Sequence, residues 1–113
     1  MKFSINIIKT EKTEVKRQYE TVTRFNRINT GETKEAEFKP EQNILIVDGE
    51  AFTVHEVSFK FITIGNENIK TAQIMTYKNG EQHLFYSLDV PAFWDMFDNL
   101  NWGKKVFGGY IAK

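Results

Sequence analysis

Apolar and polar side chains alternate with a period of two along most of the chain, which is the pattern of β-strands. Residues 2–7 show it first, and residues 14–25 are predicted to form one long strand whose second face is largely polar and meets water. We place the following turn at residues 29–32, because Gly31 can adopt the positive φ of a tight reversal. A short return strand then ends at Pro40.

Two dipeptides mark later reversals as β-hairpins. Asp48-Gly49 and Asn79-Gly80 each combine two residues that tolerate positive φ, as a type I′ turn requires. Between them, the strand from Glu50 to about Ile64 changes its apolar set from even to odd positions. A slip of one residue predicts a β-bulge at His55–Glu56, or a sharp bend between two shorter strands.

The pattern becomes helical after residue 88. Asp89 lies at the predicted N-cap, Pro91 suits the first turn, and Gly103 suits the residue just after the helix. A last short strand is predicted between residues 106 and 111. Four apolar side chains with helical spacing form the stripe that should face the core: Phe93, Met96, Phe97 and Leu100.

Together these elements predict the α+β class, with about seven antiparallel strands in a meander and one C-terminal helix. We expect a strongly bent sheet or a half-open barrel. The chain carries no repeat and no linker, so residues 1–113 are predicted to form a single domain. The predicted core comprises Phe3, Ile5, Ile7, Ile44, Ile46, Phe52, Val54, Phe59, Phe61, Ile74, Leu84, Tyr86, Phe93, Phe97 and Leu100.

Composition narrows the possible chemistry. The 113 residues include no Cys, which excludes a disulfide framework, a Cys-based zinc site and a Cys nucleophile. The 15 basic and 15 acidic side chains balance, and they stay near balance on either side of residue 41, so we expect any electrostatic recognition to be local. The longest apolar run is Ile44–Val47 and no secretory signal follows Met1. We therefore expect a soluble, cytoplasmic protein of a bacterium or of an infected bacterial host.

The sequence carries no motif of catalysis or metal binding. His55 and His83 are the only histidines, and neither has a second ligand at metal-binding spacing. The glycines near the C-terminus match neither a phosphate-binding loop nor a dinucleotide fingerprint, and no serine lies in a nucleophile elbow. We therefore expect a protein that is not an enzyme and that uses no cofactor and no metal.

Two segments combine basic and aromatic side chains, as nucleic-acid binding requires. In the first, glutamates are interleaved with the basic residues, which also fits a mixed solvated face. In the second, lysines that complement the helix dipole and aromatic side chains that close the core are the alternative interpretation. The candidate binding residues of the first segment are Arg17, Tyr19 and Arg27, and those of the second are Trp102, Lys104, Lys105, Phe107 and Tyr110.

The C-terminal part of the chain resembles a known family. Its order is strand, Asn79-Gly80, strand, Val90-Pro91, amphipathic helix, Gly103-Lys104, Val106-Phe107 and Ile111. In this order residues 69–113 resemble the KTSC domain, a module at the C-terminus of some lysyl-tRNA synthetases and a stand-alone protein of bacteria and phages. The resemblance implies a contact with RNA, carried here by Lys104, Lys105 and Phe107. The topology is also similar to the half-open barrel of pleckstrin-homology domains.

Our leading hypothesis for function is a non-catalytic binding protein that acts on a protein partner, as an inhibitor or accessory factor. The chain has 16 aromatic side chains, more than so small a core buries, and exposed aromatic side chains anchor interfaces. An open edge strand would also allow β-augmentation or a homodimer. The size and composition suit a phage or a mobile element. The alternative is a module that binds RNA or single-stranded nucleic acid through residues 102–110.

Overall fold

Eight antiparallel strands and one helix make up the protein, which a computed structural model describes over residues 1–113. The prediction of a mostly antiparallel sheet with one helix near the C-terminus is confirmed. No helix has the length and apolar content needed to cross a membrane. The elements are β1 (Lys2–Arg17), β2 (Glu20–Lys39), β3 (Ile44–Val47), β4 (Glu50–Ile64), β5 (Glu67–Lys78), β6 (Glu81–Ser87), α1 (Val90–Leu100), β7 (Lys104–Val106) and β8 (Gly109–Ile111).

The first six strands close into a barrel, so the expectation of an open sheet or half-open barrel is wrong. Each strand pairs with the next in the chain, and β6 returns to β1, where Tyr86 lies opposite Asn6. The Asn6 side chain strengthens this closure, because its Oδ1 accepts a hydrogen bond from the Leu88 N–H at 2.9 Å. Alternation along a strand shows which face is apolar but not which edges meet. The alternation of apolar and polar residues therefore does not predict closure of the barrel.

A β-bulge in β4 lets one strand serve two neighbours, and it lies where the sequence predicts it. The register of β4 against β5 shifts between Val54 and Glu56. Before the shift β4 pairs with β3, and after it residues 56–58 pair with β8, so β7 and β8 lie outside the barrel. Both predicted hairpin turns are also confirmed, since Asp48-Gly49 and Asn79-Gly80 have positive φ at both residues.

The helix packs its apolar stripe against the main core. The Phe97 ring centroid lies 5.6 Å from that of Phe38, 5.9 Å from that of Trp102 and 5.7 Å from that of Tyr110. Asp89 caps the N-terminus as predicted, accepting a hydrogen bond from the Ala92 N–H at 3.3 Å. These contacts fix the helix and both ends of the segment that follows it.

The C-terminal cap of the helix differs from the prediction. Asn101, with φ of 53°, is the left-handed cap in place of Gly103. Gly103 also has a positive φ, of 65°, and a Cβ atom there would lie 2.3 Å from the carbonyl oxygen of Ile111. The glycine therefore permits close approach of the chain to the end of β8.

Several predicted core residues lie elsewhere. Phe61 is 61% exposed and Leu84 is 39% exposed. On β3 the buried side chains are Leu45 and Val47, so Ile44 and Ile46, predicted as core, lie on the less buried face. Tyr86, predicted as core, is buried in a second apolar cluster that is separate from the main core. This cluster also contains Ile62 and Ile64, and Ile8, Ile69 and Leu88 pack against it.

The strand β4 buries opposite faces at its two ends. Val57 and Phe59 lie in the main core, whereas Ile62 and Ile64 lie in the second cluster, although the pairing with β5 is continuous from Glu56 to Ile64. Successive side chains on a strand point to opposite faces, so odd and even positions are used in turn. Phe61 shares the face of Phe59 but lies beyond the main core, which leaves it exposed.

Candidate functional site

The longest hairpin extends beyond the barrel as a two-stranded ribbon, here called the arm and comprising residues 9–28. The chain reverses at Gln18-Tyr19, inside the segment that the sequence predicts as one strand, and residues 8–17 pair without interruption with residues 20–29. No third strand pairs with the arm, so both its edges are open. Nine residues per strand at about 3.3 Å each give an arm of about 30 Å. The molecule is accordingly elongated, with extents of 54 × 29 × 27 Å.

The base of the arm is held against the barrel. Gly31, predicted to form the reversal, instead lies in a bulge with φ of 79°, where residues 30–32 lie opposite the single residue Ile7. The Thr30 hydroxyl donates to the Ile7 carbonyl at 2.9 Å. The Gly65 N–H, at the tip of the β4–β5 hairpin, donates to the Arg27 carbonyl at 2.8 Å. These bonds set the direction in which the arm leaves the barrel.

No residue of the arm belongs to either apolar cluster. All its side chains are exposed except those of Val15 and Val22, which are half-buried and lie directly opposite each other. Tyr19 at the turn is 92% exposed and Phe25 is 67% exposed. The side chains of the arm are therefore exposed to solvent, and they contribute nothing to either apolar cluster.

Charge is unevenly distributed in this electrically neutral chain. The arm carries six basic and three acidic side chains, which leaves nine basic and twelve acidic on the rest of the molecule. The five ion pairs all lie outside the arm, so none of its six cations is neutralised by a carboxylate within 4 Å. Dividing the sequence at residue 41 conceals this polarity, because the basic arm and acidic barrel strands lie on the same side of that division.

The arm has two different faces, since residues directly opposite each other in an antiparallel pair share a face. Arg17 and Arg27, which the sequence places together, fall on opposite faces because the chain reverses between them. The Phe25 face consists of Thr10, Lys12, Glu14, Lys16, Thr21, Thr23, Phe25 and Arg27. The valine face consists of Lys9, Glu11, Thr13, Val15, Arg17, Glu20, Val22, Arg24, Asn26 and Ile28.

A polar cleft of about 560 Å³ lies beside the base of the arm. Arg27 lines one side of it, and Lys60, Gln73 and Gln82 line the barrel side together with Glu56. The Phe25 face therefore continues, through Arg27, into a surface on the barrel that offers a second cation and two side-chain amides.

Two of the five predicted binding residues after the helix, Trp102 and Tyr110, are buried in the main core. Trp102 is 6% exposed, and its indole N–H donates to Asn43 Oδ1 at 2.7 Å. Tyr110 is 3% exposed, and its hydroxyl donates to Asp98 Oδ1. Burial and this hydrogen bond raise the pKa of Tyr110 to about 12. The same bond, with that from Lys105, holds the pKa of Asp98 below its usual value. Neither aromatic ring presents a face on which a base could stack.

The other predicted binding residues of that segment, Lys104, Lys105 and Phe107, are exposed. Lys105 Nζ lies 3.1 Å from Asp98 Oδ1 and 5.4 Å from the centre of the Trp94 ring. Lys104 is exposed on β7 and makes no ion pair. Phe107 is fully exposed at the turn between β7 and β8. This segment therefore offers one aromatic anchor beside a lysine, rather than a stacking platform.

The histidines and carboxylates do not converge. His55 packs edge-on to Tyr77, with ring centroids 4.7 Å apart, and His83 packs edge-on to Phe52 at 5.2 Å. No group of three or more His, Asp or Glu side chains is close enough to hold a metal ion. A half-apolar groove of about 660 Å³ lies between β1 and the start of α1, and Asp89, its one titratable side chain, already caps the helix.

The arm was missed as a unit because its turn carries no sequence signal. Neither Gln18 nor Tyr19 has positive φ, so the reversal does not need the glycine or asparagine of a type I′ turn. The one available signal is the symmetric placement of Val15 and Val22 about the turn.

Comparisons with protein-family models, with curated proteins and with solved structures give no match, so the resemblance of residues 69–113 to the KTSC domain stays a prediction.

Proposed function

We propose that the protein is a non-catalytic nucleic-acid-binding protein and that the arm is its recognition element. The observation that carries the proposal is the concentration of six unpaired cations on an exposed ribbon that adds nothing to the core. The fold alone does not account for an element of this kind, because none of its side chains belongs to either apolar cluster.

The charge distribution favours a polyanion as the ligand. Lysine and arginine side chains bind phosphates by displacing condensed counterions, and this contribution grows with the number of phosphates contacted. The rest of the molecule carries more acidic than basic side chains, so we expect the contact to be made by the arm and by the cleft at its base. Tyr19 and Phe25 add exposed rings that can contact bases.

A trimmed variant provides the test. Residues 12–25 are replaced by Asn-Gly, so that a type I′ turn closes the ribbon directly after the Glu11–Asn26 pair. This removes four cations and both exposed rings, and it retains the Arg27–Gly65 hydrogen bond at the base. Because no removed residue lies in a core cluster, we expect the variant to keep its circular dichroism spectrum and its melting temperature within a few degrees.

The measurement is fluorescence anisotropy with labelled 20-nucleotide DNA and RNA, single- and double-stranded, in 50 to 200 mM KCl. With four to six phosphates contacted, the affinity should fall by about 10²- to 10³-fold across this range. The trimmed variant should lose most of the binding and most of the salt dependence. Absence of binding at 50 mM KCl, or equal binding by the folded trimmed variant, would refute the proposal.

A protein partner is the second candidate function, and the observation that favours it is Phe107. A ring that is fully exposed on a two-strand turn is pre-positioned to enter a pocket, and aromatic anchors of this kind dominate many interfaces. The test is affinity capture from a host lysate with nuclease present, using the wild-type protein and Phe107→Ala as baits. A protein captured in stoichiometric amount by the wild type alone supports this function, and identical capture by both baits counts against it.

A further inference from the structure

We infer that the ligand of the arm is double-stranded DNA and that the Phe25 face lies in its major groove, an inference that rests on the proposed function. Where the sequence predicts a nucleic acid, as the alternative to a protein partner, that ligand is RNA or a single strand bound through the segment after the helix. The geometry of the arm points to a different ligand and a different contact surface.

The dimensions of the arm match the groove of a B-form duplex. A two-stranded ribbon fits the major groove, which is about 12 Å wide. The arm, at about 30 Å, is close to one helical turn of about 34 Å. The major groove of A-form RNA is too deep and narrow for side chains to read, so the same ribbon would not enter it. A single strand, in turn, needs a channel or a row of stacking rings, and the arm has neither.

The two faces of the arm differ in charge and in side-chain composition, and this difference favours the Phe25 face for contact with DNA. The Phe25 face carries three cations and one carboxylate, and its other side chains include three threonine hydroxyls that can donate to phosphates or bases. The valine face carries three cations and two carboxylates, and its centre is occupied by the half-buried Val15–Val22 pair. The Phe25 face is therefore the more positive, and no half-buried apolar pair occupies its centre.

Phe25 and the cleft extend the contact in two directions. Phe25 lies directly opposite Lys12 and is 67% exposed, so it can make apolar contact with a thymine methyl group while Lys12 reaches the backbone. Arg27 leads from this face into the cleft that Lys60 also lines. A duplex lying along the face would bring one phosphate strand towards Lys60, which would then hold it at the barrel.

Two charge-matched double variants test the choice of face. Lys12→Gln with Lys16→Gln removes two cations from the Phe25 face, and Lys9→Gln with Arg24→Gln removes two from the valine face. All four side chains are exposed and unpaired, so both proteins should fold as the wild type does. For a 20-base-pair DNA duplex we expect at least about tenfold weaker binding from the first pair and a clearly smaller loss, through weaker long-range attraction, from the second. The slope of log affinity against log salt should become shallower by about 1.8 in the first pair and by less in the second.

The ligands in the same titration separate the inference from the function on which it rests. Tighter binding to the DNA duplex than to its single strand or to an RNA duplex of the same sequence supports the inference. Tighter binding to a single strand or to RNA overturns it while the proposed function stands. Equal losses in the two double variants overturn the assignment of the face. Absence of binding to every nucleic acid removes the proposed function itself.

Discussion

Replacing Trp102 with phenylalanine tests whether this residue stabilises the core or contacts a ligand. The change removes the indole N–H that donates to Asn43 Oδ1 at 2.7 Å. It also removes one ring of a side chain that is 6% exposed and packs edge-on to Phe38, with ring centroids 5.5 Å apart. Both losses fall on the main core, so we expect Trp102→Phe to reduce stability and to leave nucleic-acid binding unchanged.

The magnitude follows from those two losses. Truncation of a buried Trp to Ala costs about 3–5 kcal/mol, and retention of one ring reduces this to about 1–2 kcal/mol. The lost hydrogen bond adds about 1 kcal/mol, at the lower end because Asn43 lines an open surface pocket where water can replace the indole. A total of about 2–3 kcal/mol lowers the melting temperature of a chain of this length by about 10 °C.

Thermal and urea unfolding followed by circular dichroism measure the effect, and Trp94→Phe is the matched control. Trp94 is 37% exposed, so its replacement should cost less than about 1 kcal/mol. The control also leaves Trp102 as the only tryptophan, and its emission should be blue-shifted and resistant to iodide quenching. An unchanged melting temperature in Trp102→Phe, together with quenching of Trp102 in the control, would refute its assignment to the core.

Two further predictions concern the strand that carries Tyr110. A Cβ atom on Gly109 would lie 2.0 Å from the Val57 carbonyl oxygen, so Gly109→Ala should separate β8 from β4 and lower the melting temperature by at least about 5 °C. At Gly80, where positive φ but no neighbour opposes a side chain, Gly80→Ala should cost less. Because the folded pKa of Tyr110 is raised to about 12, its contribution is present below pH 10 and is lost as pH rises towards 12. Urea unfolding should show this fall, and Tyr110→Phe should make it shallower; an equal fall in the variant would contradict it.

The sequence shows local structure well where the backbone needs a particular residue. Asp48-Gly49 and Asn79-Gly80 occupy turns with positive φ, and the change of apolar parity at His55 marks a real bulge. In each case one local constraint selects the residue type, so the pattern and the structure agree. The helix is predicted from the spacing of its apolar side chains and from Asp89 at its N-cap.

The errors arise where no local residue type specifies the structure. The reversal at Gln18-Tyr19 uses residues that many turns accept, and barrel closure is decided by strands far apart in sequence. Leu84 and Phe61 alternate with polar residues as buried side chains do, but they lie outside both apolar clusters and are exposed. For the candidate site, the sequence names Arg17, Tyr19 and Arg27 among exposed residues, but their distribution over two faces depends on the missed reversal.

The pairing that closes the barrel determines the order in which the chain can fold. Asn6 pairs with Tyr86, so the β6 edge of β1 has no partner until about 80 more residues have been made. At roughly 5–20 residues per second, synthesis of that length takes several seconds. During this interval the apolar side chains of β1 and β2, such as Ile5 and Phe38, would be exposed on an incomplete sheet. The charged arm is the outer part of the same two strands. Its net positive charge would oppose association between nascent chains on adjacent ribosomes.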